Sequence, residues 1–313
     1  MILSARHRPV SNALRHLQRR HVSQARTGGI QDPAAYCRDL VRKHDNDAFL
    51  CSYFYPRHLQ GAYFGLRAFN VELATVKENV SRTMIGQMRM QFWRDAVKGI
   101  SEDKPPNHPI ALALHAASKQ ASLPGYHLKR MIDAREQDLQ NPTYMTVESL
   151  QNYAESTSST LLYLLLSLLS LSSSSTLSHA ASHLGIAHSF ATLLRAMPFH
   201  ASQGRVIIPA EITSKHGVTQ EEVVRKGGSA PGIDDAVYEF ATLANDHLIT
   251  ARESFKDGGV PDEAMPIFLT GIPVASYLSR LEAVNFDAFH PSLQTKDWKL
   301  PFQIWRGRRS RMF

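Results

Sequence analysis

Between residues 56 and 80 the apolar side chains recur every three or four positions, at Leu59, Tyr63, Leu66, Phe69, Leu73, Val76 and Val80. At about 100° per residue they fall on one face of a helix roughly 36 Å long, and Pro56 suits its first turn. A face of that length is stable only when other elements cover it. Residues 81–99 repeat the period through Met84, Met88, Phe92 and Ala96, with Ser81 placed to cap the helix. Further helical patterns run over 108–121, 125–140, 146–172, 178–199, 231–256 and 273–284. The loops between them include "SEDKPPN", "KGGSAPG" and "DGGVPDEAMP". No hairpin signal or period-two alternation interrupts the series, apart from a short extended piece at 206–208. The patterns predict an all-α chain with a single domain over 32–290, between a leader at 1–31 and a basic C-terminal tail at 291–313.

The longest apolar run, "LLYLLLSLLSL" at 161–171, spans only about 16 Å of helix, half of a bilayer core. Serines follow it directly, so it reads as a buried helix, and "SLSSSSTLS" (170–178) reads as a join. The net charge of +7 is concentrated at one end. Residues 1–31 carry Arg6, Arg8, Arg15, Arg19, Arg20 and Arg26 and no acid, whereas the remaining 29 Lys and Arg stand against 28 Asp and Glu. The near-neutral body removes the electrostatic support for nucleic-acid binding. An acid-free, arginine-rich segment with Leu3, Leu14 and Leu17 has the character of a mitochondrial transit peptide, the alternative being a basic disordered tail. Cys37 and Cys51 form neither a ligand spacing nor a disulfide framework, in keeping with a reducing compartment.

The chain has no G-x-S-x-G elbow, Gly-rich phosphate loop or cysteine pair at zinc spacing, so no cofactor is expected. His179 and His183 are one helical turn apart with His188 beyond, but their surroundings lack acidic support, and packing histidines are the default reading. Two helical rows are more informative. Tyr63, Arg67, Asn70 and Ala74 lie along one side of the first long helix, and Thr192, Ala196 and His200 repeat at spacing four on another, beside Arg195. "ASQGRVIIPAEI" then brings in Arg205. If these helices face each other, Arg67, Arg195 and Asn70 point into one shared cavity. Yet no Asp or Glu occurs between 156 and 210. Asn70 and Arg195 read equally as buried polar groups satisfied within a helical core.

"GAYFGLRAFNVELATV" (61–76) resembles the first signature of the squalene/phytoene synthase family, where an arginine precedes aspartates spaced four apart. "LGIAHSFATLLRAMPFHASQGRVIIPAEI" (184–212) resembles the second, and "MIDAREQDL" and "LQNYAEST" resemble the helices between them. The similarity covers most of 32–285 in order. It implies the isoprenoid-synthase-type helical fold around a central cavity. In the family, aspartates on two facing helices hold magnesium, which binds diphosphate. The matching positions here carry Asn70, Ala74, Ala196 and His200. The resemblance therefore implies a degenerate cavity with no catalytic residue and no metal, in which Arg67, Asn70, Arg195, His200 and Arg205 are the remains of a diphosphate pocket. Glu72 is turned about 200° from Asn70, and Glu78, one turn past Ala74, is the single acid left as a stand-in.

"QMRMQFWRDAV", "HPIALAL" and "FDAFHPSLQ" are similar to a non-catalytic mitochondrial branch of the same family. That similarity implies a matrix protein held peripherally at the inner membrane that assists early assembly of respiratory complex I. Its partners would be early assembly intermediates and membrane-arm subunits. Two rival readings stand beside it: a working prenyltransferase using unconventional residues, and a lipid- or prenyl-diphosphate-binding protein without turnover. The serine-rich 172–178 and the closing "WRGRRSRMF" match none of them.

Overall fold

The computed structural model describes residues 32–80 and 82–313; the leader expected at 1–31 and the cap expected at Ser81 lie outside the described residues. Short polar side chains start several of the helices. Asp32 caps α1 (Pro33–His44), Asp45 caps α2 (Asn46–Cys51), and α3 (Gln60–Asn79) and α4 (Thr83–Ser101) follow. His108 caps α5 (Pro109–Gln120), which precedes α6 (Gly125–Gln140), and Thr146 forms a capping box on α7 (Val147–Ala154). A π-helical turn, Glu155–Ser159, links α7 to α8 (Thr160–Leu168), and Ser174 caps α9 (Ser175–Ser202). The remainder comprises α10 (Ala210–Lys215), α11 (Gln220–Lys226), α12 (Ile233–Glu253), α13 (Met265–Phe268), α14 (Gly271–Glu282) and α15 (Leu300–Ser310). No strand occurs among the described residues, and 206–208 is irregular loop.

The two helices singled out by the sequence organise the packing. α3 lies against α1, α5 and α8, and its predicted apolar face is buried, only Val80 beyond its last turn being partly exposed. α9 runs along α12 and also touches α8 and α14. Gly185 lets α9 approach the π-helical turn, because a Cβ there would lie 2.4 Å from the Ser159 backbone.

Three expectations are corrected. The first concerns α4, which does not bury Met84, Met88 and Phe92; it buries Met90, Trp93, Ala96, Val97 and Ile100. The helix carries two apolar stripes, and the one bearing Trp93 removes more surface from water when packed on α5 and α6. The second is the single helix expected over 146–172. It is broken by the π-helical turn and ends at Leu168, where the backbone turns through Ser170 at positive φ. The third is the expected tail. Residues 291–313 fold onto the body through Leu293, Leu300, Ile304, Gly307 and Phe313, all buried, with Phe313 against Phe268. The high positive charge of this segment concealed its apolar spacing.

Candidate functional site

α3 and α9 face each other across a cavity of about 370 Å³. Asn70, Ala74 and Glu78 line one wall, Arg195, Ala196 and His200 the other, and Arg205 closes it from the loop after α9. The convergence expected from the two helical rows is therefore present for Asn70 and Arg195, and His200 and Arg205, named through the family resemblance, line the same cavity. Arg67 differs. It is only 2% exposed, lies outside the cavity lining, and stacks its guanidinium 5.5 Å from the Tyr63 ring centre.

The acids missing from 156–210 arrive from another part of the chain. Asp45, whose Oδ1 caps α2 by accepting from the Ala48 amide, sets Oδ2 3.8 Å from Arg67 Nη1. Arg67 Nη2 also donates to the Thr270 hydroxyl at 3.3 Å. Two residues along, Asp47 accepts from Arg195 Nη1 at 2.7 Å. Two of the three arginines read as anion binders thus already have carboxylate partners within the chain. Neither Asp45 nor Asp47 belongs to a stretch that attracts attention by pattern, although the "DND" run directly after α1 places both at the start of α2.

A second group on the wall comes from "MIDAREQDL", a stretch whose spacing alone singles out neither of its members. Arg135 and Asp138, three residues apart on α6, share one face. Arg135 donates to Asn70 Oδ1 at 3.4 Å and to the Tyr153 hydroxyl, while Asp138 accepts from Lys77 Nζ and from the Tyr144 hydroxyl, both at 2.9 Å. Burial pulls the Lys77 ammonium below its usual range despite Asp138, and Arg205 and Arg135 act in the same direction. Burial, reinforced by Arg205 and Lys77, lowers His200 to about 4. Burial also lowers His188, on the α9 wall, to about 4, with Arg67 adding to the effect. Both imidazoles are neutral at neutral pH.

The magnesium–diphosphate group implied by the family resemblance does not fit these residues. Positions 70, 74, 196 and 200 offer an amide, two methyl groups and a neutral imidazole, whereas Mg²⁺ demands near-octahedral oxygen ligation. Of the carboxylates that do line the cavity, Asp45 is held by Arg67 and Asp138 by Lys77 and Tyr144, which leaves Glu78. Among the described residues no group of three or more His, Cys, Asp or Glu is arranged to hold a metal ion. His183 and His247 do meet, Nδ1 to Nδ1 at 2.8 Å, but as a neutral pair, His247 being lowered to about 4 by burial and by His183.

An all-helical body closed around a polar cavity between two long facing helices is the isoprenoid-synthase-type architecture. The squalene synthase HpnC of Alicyclobacillus acidocaldarius superposes on it with a TM-score of 0.71 at 18% identity, over 82% of this chain and 95% of that one. The squalene/phytoene synthase family matches residues 41–306, and the chain belongs to that family. Within it, the chain is 44% identical over 294 residues to the rat protein named NADH dehydrogenase (ubiquinone) complex I, assembly factor 6, a span of 93% of this chain and 87% of the relative. The human protein of the same name is 41% identical over 92% of this chain and 86% of its own length.

Proposed function

We propose that this chain is an assembly factor for mitochondrial respiratory complex I that serves as a docking body and performs no prenyl transfer. The supporting observation is its 44% identity, sustained over 93% of the chain, to a protein named for that role. The cavity agrees with the second half of the proposal. Arg67 and Arg195 are neutralised internally, and the positions facing each other across it carry Asn70, Ala74, Ala196 and His200. In this reading residues 1–31 are a transit peptide, and the mature protein sits peripherally on the matrix face of the inner membrane. There it meets early assembly intermediates and membrane-arm subunits. No helix among the described residues is long and apolar enough to cross a membrane, so alkaline carbonate is expected to release the protein from mitochondrial membranes.

The deciding experiment is genetic. Cells lacking the protein are expected to lose assembled complex I on native gels while the other respiratory complexes stay near normal, and re-expressed Asn70→Ala or His200→Ala is expected to restore it. Failure of either variant at normal abundance means that the cavity itself is required. That outcome favours the second reading, a ligand-holding cavity without turnover. One observation supports this alternative: Arg135 Nε, on the cavity wall, is buried with no hydrogen-bond partner among the described residues.

A further inference from the structure

Residues 296–311 carry six Lys and Arg against one acid, Asp297. α15 lies with its aliphatic side inward, burying Leu300, Ile304 and Gly307. A Cβ on Gly307 would meet Ile272 at 2.3 Å, so the helix is seated closely on α14. Taking Phe302 as the reference direction, Trp305, Arg306 and Arg309 fall within about 60° of it, and the three buried residues lie about 140–200° away. The outward face is therefore aromatic and cationic together. Trp298, in the turn before the helix, is 82% exposed, Phe302 63% and Trp305 53%. The Phe302 and Trp305 rings stack at 5.8 Å, and Lys299 Nζ sits 5.6 Å from the Trp298 ring centre. Arg308 is tied to Asp262 at 2.8 Å, but no ion pair among the described residues engages Lys299, Arg306 or Arg309.

We propose that this face is a docking surface for an anionic lipid bilayer. Trp298, Phe302 and Trp305 enter the boundary between headgroups and acyl chains, and Lys299, Arg306 and Arg309 rest on the surrounding phosphates. Indole rings prefer that boundary, and long basic side chains among them reach back to the headgroups while their stems stay in the apolar layer. No acid occurs from 298 to 313, so the face carries cations alone around its rings and is matched to a continuous anionic surface. α15 has eleven residues, so the contact lies on the membrane and does not cross it. The surface is separate from the cavity and holds whether or not the chain serves complex I, although it would supply the peripheral attachment proposed above.

Tryptophan emission reads this surface directly. The chain has three Trp, of which Trp93 is buried and the other two are Trp298 and Trp305. The basic leader contains none, so its own adhesion to vesicles leaves emission unchanged. Vesicles of phosphatidylcholine with cardiolipin as the minor component are expected to shift the emission of the full chain to the blue, and vesicles of phosphatidylcholine alone are not. At low salt, Arg306→Gln/Arg309→Gln raises the lipid concentration needed for half the shift about 25-fold, each surface cation contributing about fivefold. Phe302→Ser raises it about tenfold, and Arg308→Gln leaves it unchanged. These side chains face solvent, so the melting temperatures of the outward-face variants match wild type. No shift with the anionic vesicles, an equal shift with neutral ones, or wild-type binding by the folded double variant overturns the proposal. None of these results bears on the complex I experiment.

Discussion

Replacing Asp45 separates two jobs done by one carboxylate. Its Oδ1 caps α2, and its Oδ2 is the one carboxylate oxygen paired with Arg67 among the described residues, Arg67 being 2% exposed to solvent. Asn retains a capping oxygen but no charge, so Asp45→Asn leaves the buried guanidinium without its counter-ion. Removing one partner of a buried pair costs about 3–5 kcal/mol. The 3.8 Å separation and the 19% exposure of Asp45 place this case at the lower end, at about 3 kcal/mol. Asp45→Ala also deletes the cap, adding about 1 kcal/mol for a total near 4. Against a typical domain stability of about 5–15 kcal/mol, either loss is large. Asp47→Ala provides the contrast, because Arg195 is 45% exposed and an ion pair of that kind is worth about 1 kcal/mol or less. Urea unfolding followed by circular dichroism gives all three values. If Asp45→Asn costs no more than Asp47→Ala, Arg67 does not depend on Asp45 and the account of the arginines fails.

Gly185→Ala drives a methyl group into the Ser159 backbone, which cannot yield as a flexible side chain would, and is expected to cost about 2–3 kcal/mol in a thermal melt. His188, His200 and His247 stand at about 4 in the folded chain against an ordinary 6.5, so the unfolded chain protonates first. The stability they support is complete above pH 6.5, declines as pH falls toward 4, and amounts to roughly 1 kcal/mol each at about pH 5 after solvent screening; a melting temperature constant across this range contradicts it. Incubation with magnesium and farnesyl diphosphate is expected to give no product above a boiled control. Magnesium supplies several kcal/mol of charge stabilisation that Asn70, Ala74, Ala196 and His200 cannot replace, and chelator-sensitive product would mean the site is misread.

What was legible in the sequence follows from the range of each interaction. The α3 and α9 rows depend only on helical geometry, so spacing sets Asn70 and Ala74 on one side of α3 and Ala196 and His200 on one side of α9, while the facing of the two helices comes from tertiary packing and was implied only by the family resemblance. Arg67 shared that row yet turned inward, because the residues that capture it, Asp45 and Thr270, are 22 and 203 positions away and no local period reveals them. Periodicity misled on α4, where two apolar stripes compete and only tertiary contact chooses between them. It was obscured in α15, where Phe302 and Trp305 face outward among the arginines while Leu300 and Ile304 do the packing.

The paired arginines also change what a retained motif means. A buried guanidinium is tolerated only with a negative partner, which a bound diphosphate or an internal carboxylate can supply equally well. With Asp45 beside Arg67 and Asp47 beside Arg195, the fold supplies that partner itself. Arg67 is then needed for stability whether or not anything binds, and the half-exposed Arg195 already has its counter-ion. Their presence is therefore no sign of a ligand, and the question passes to the wall that Arg135 and Asn70 share. Of the two experiments that address it, rescue by Asn70→Ala is the sharper, since it leaves both ion pairs intact and removes only a cavity-facing amide. A variant at Arg67 would confuse a lost ligand with a destabilised core.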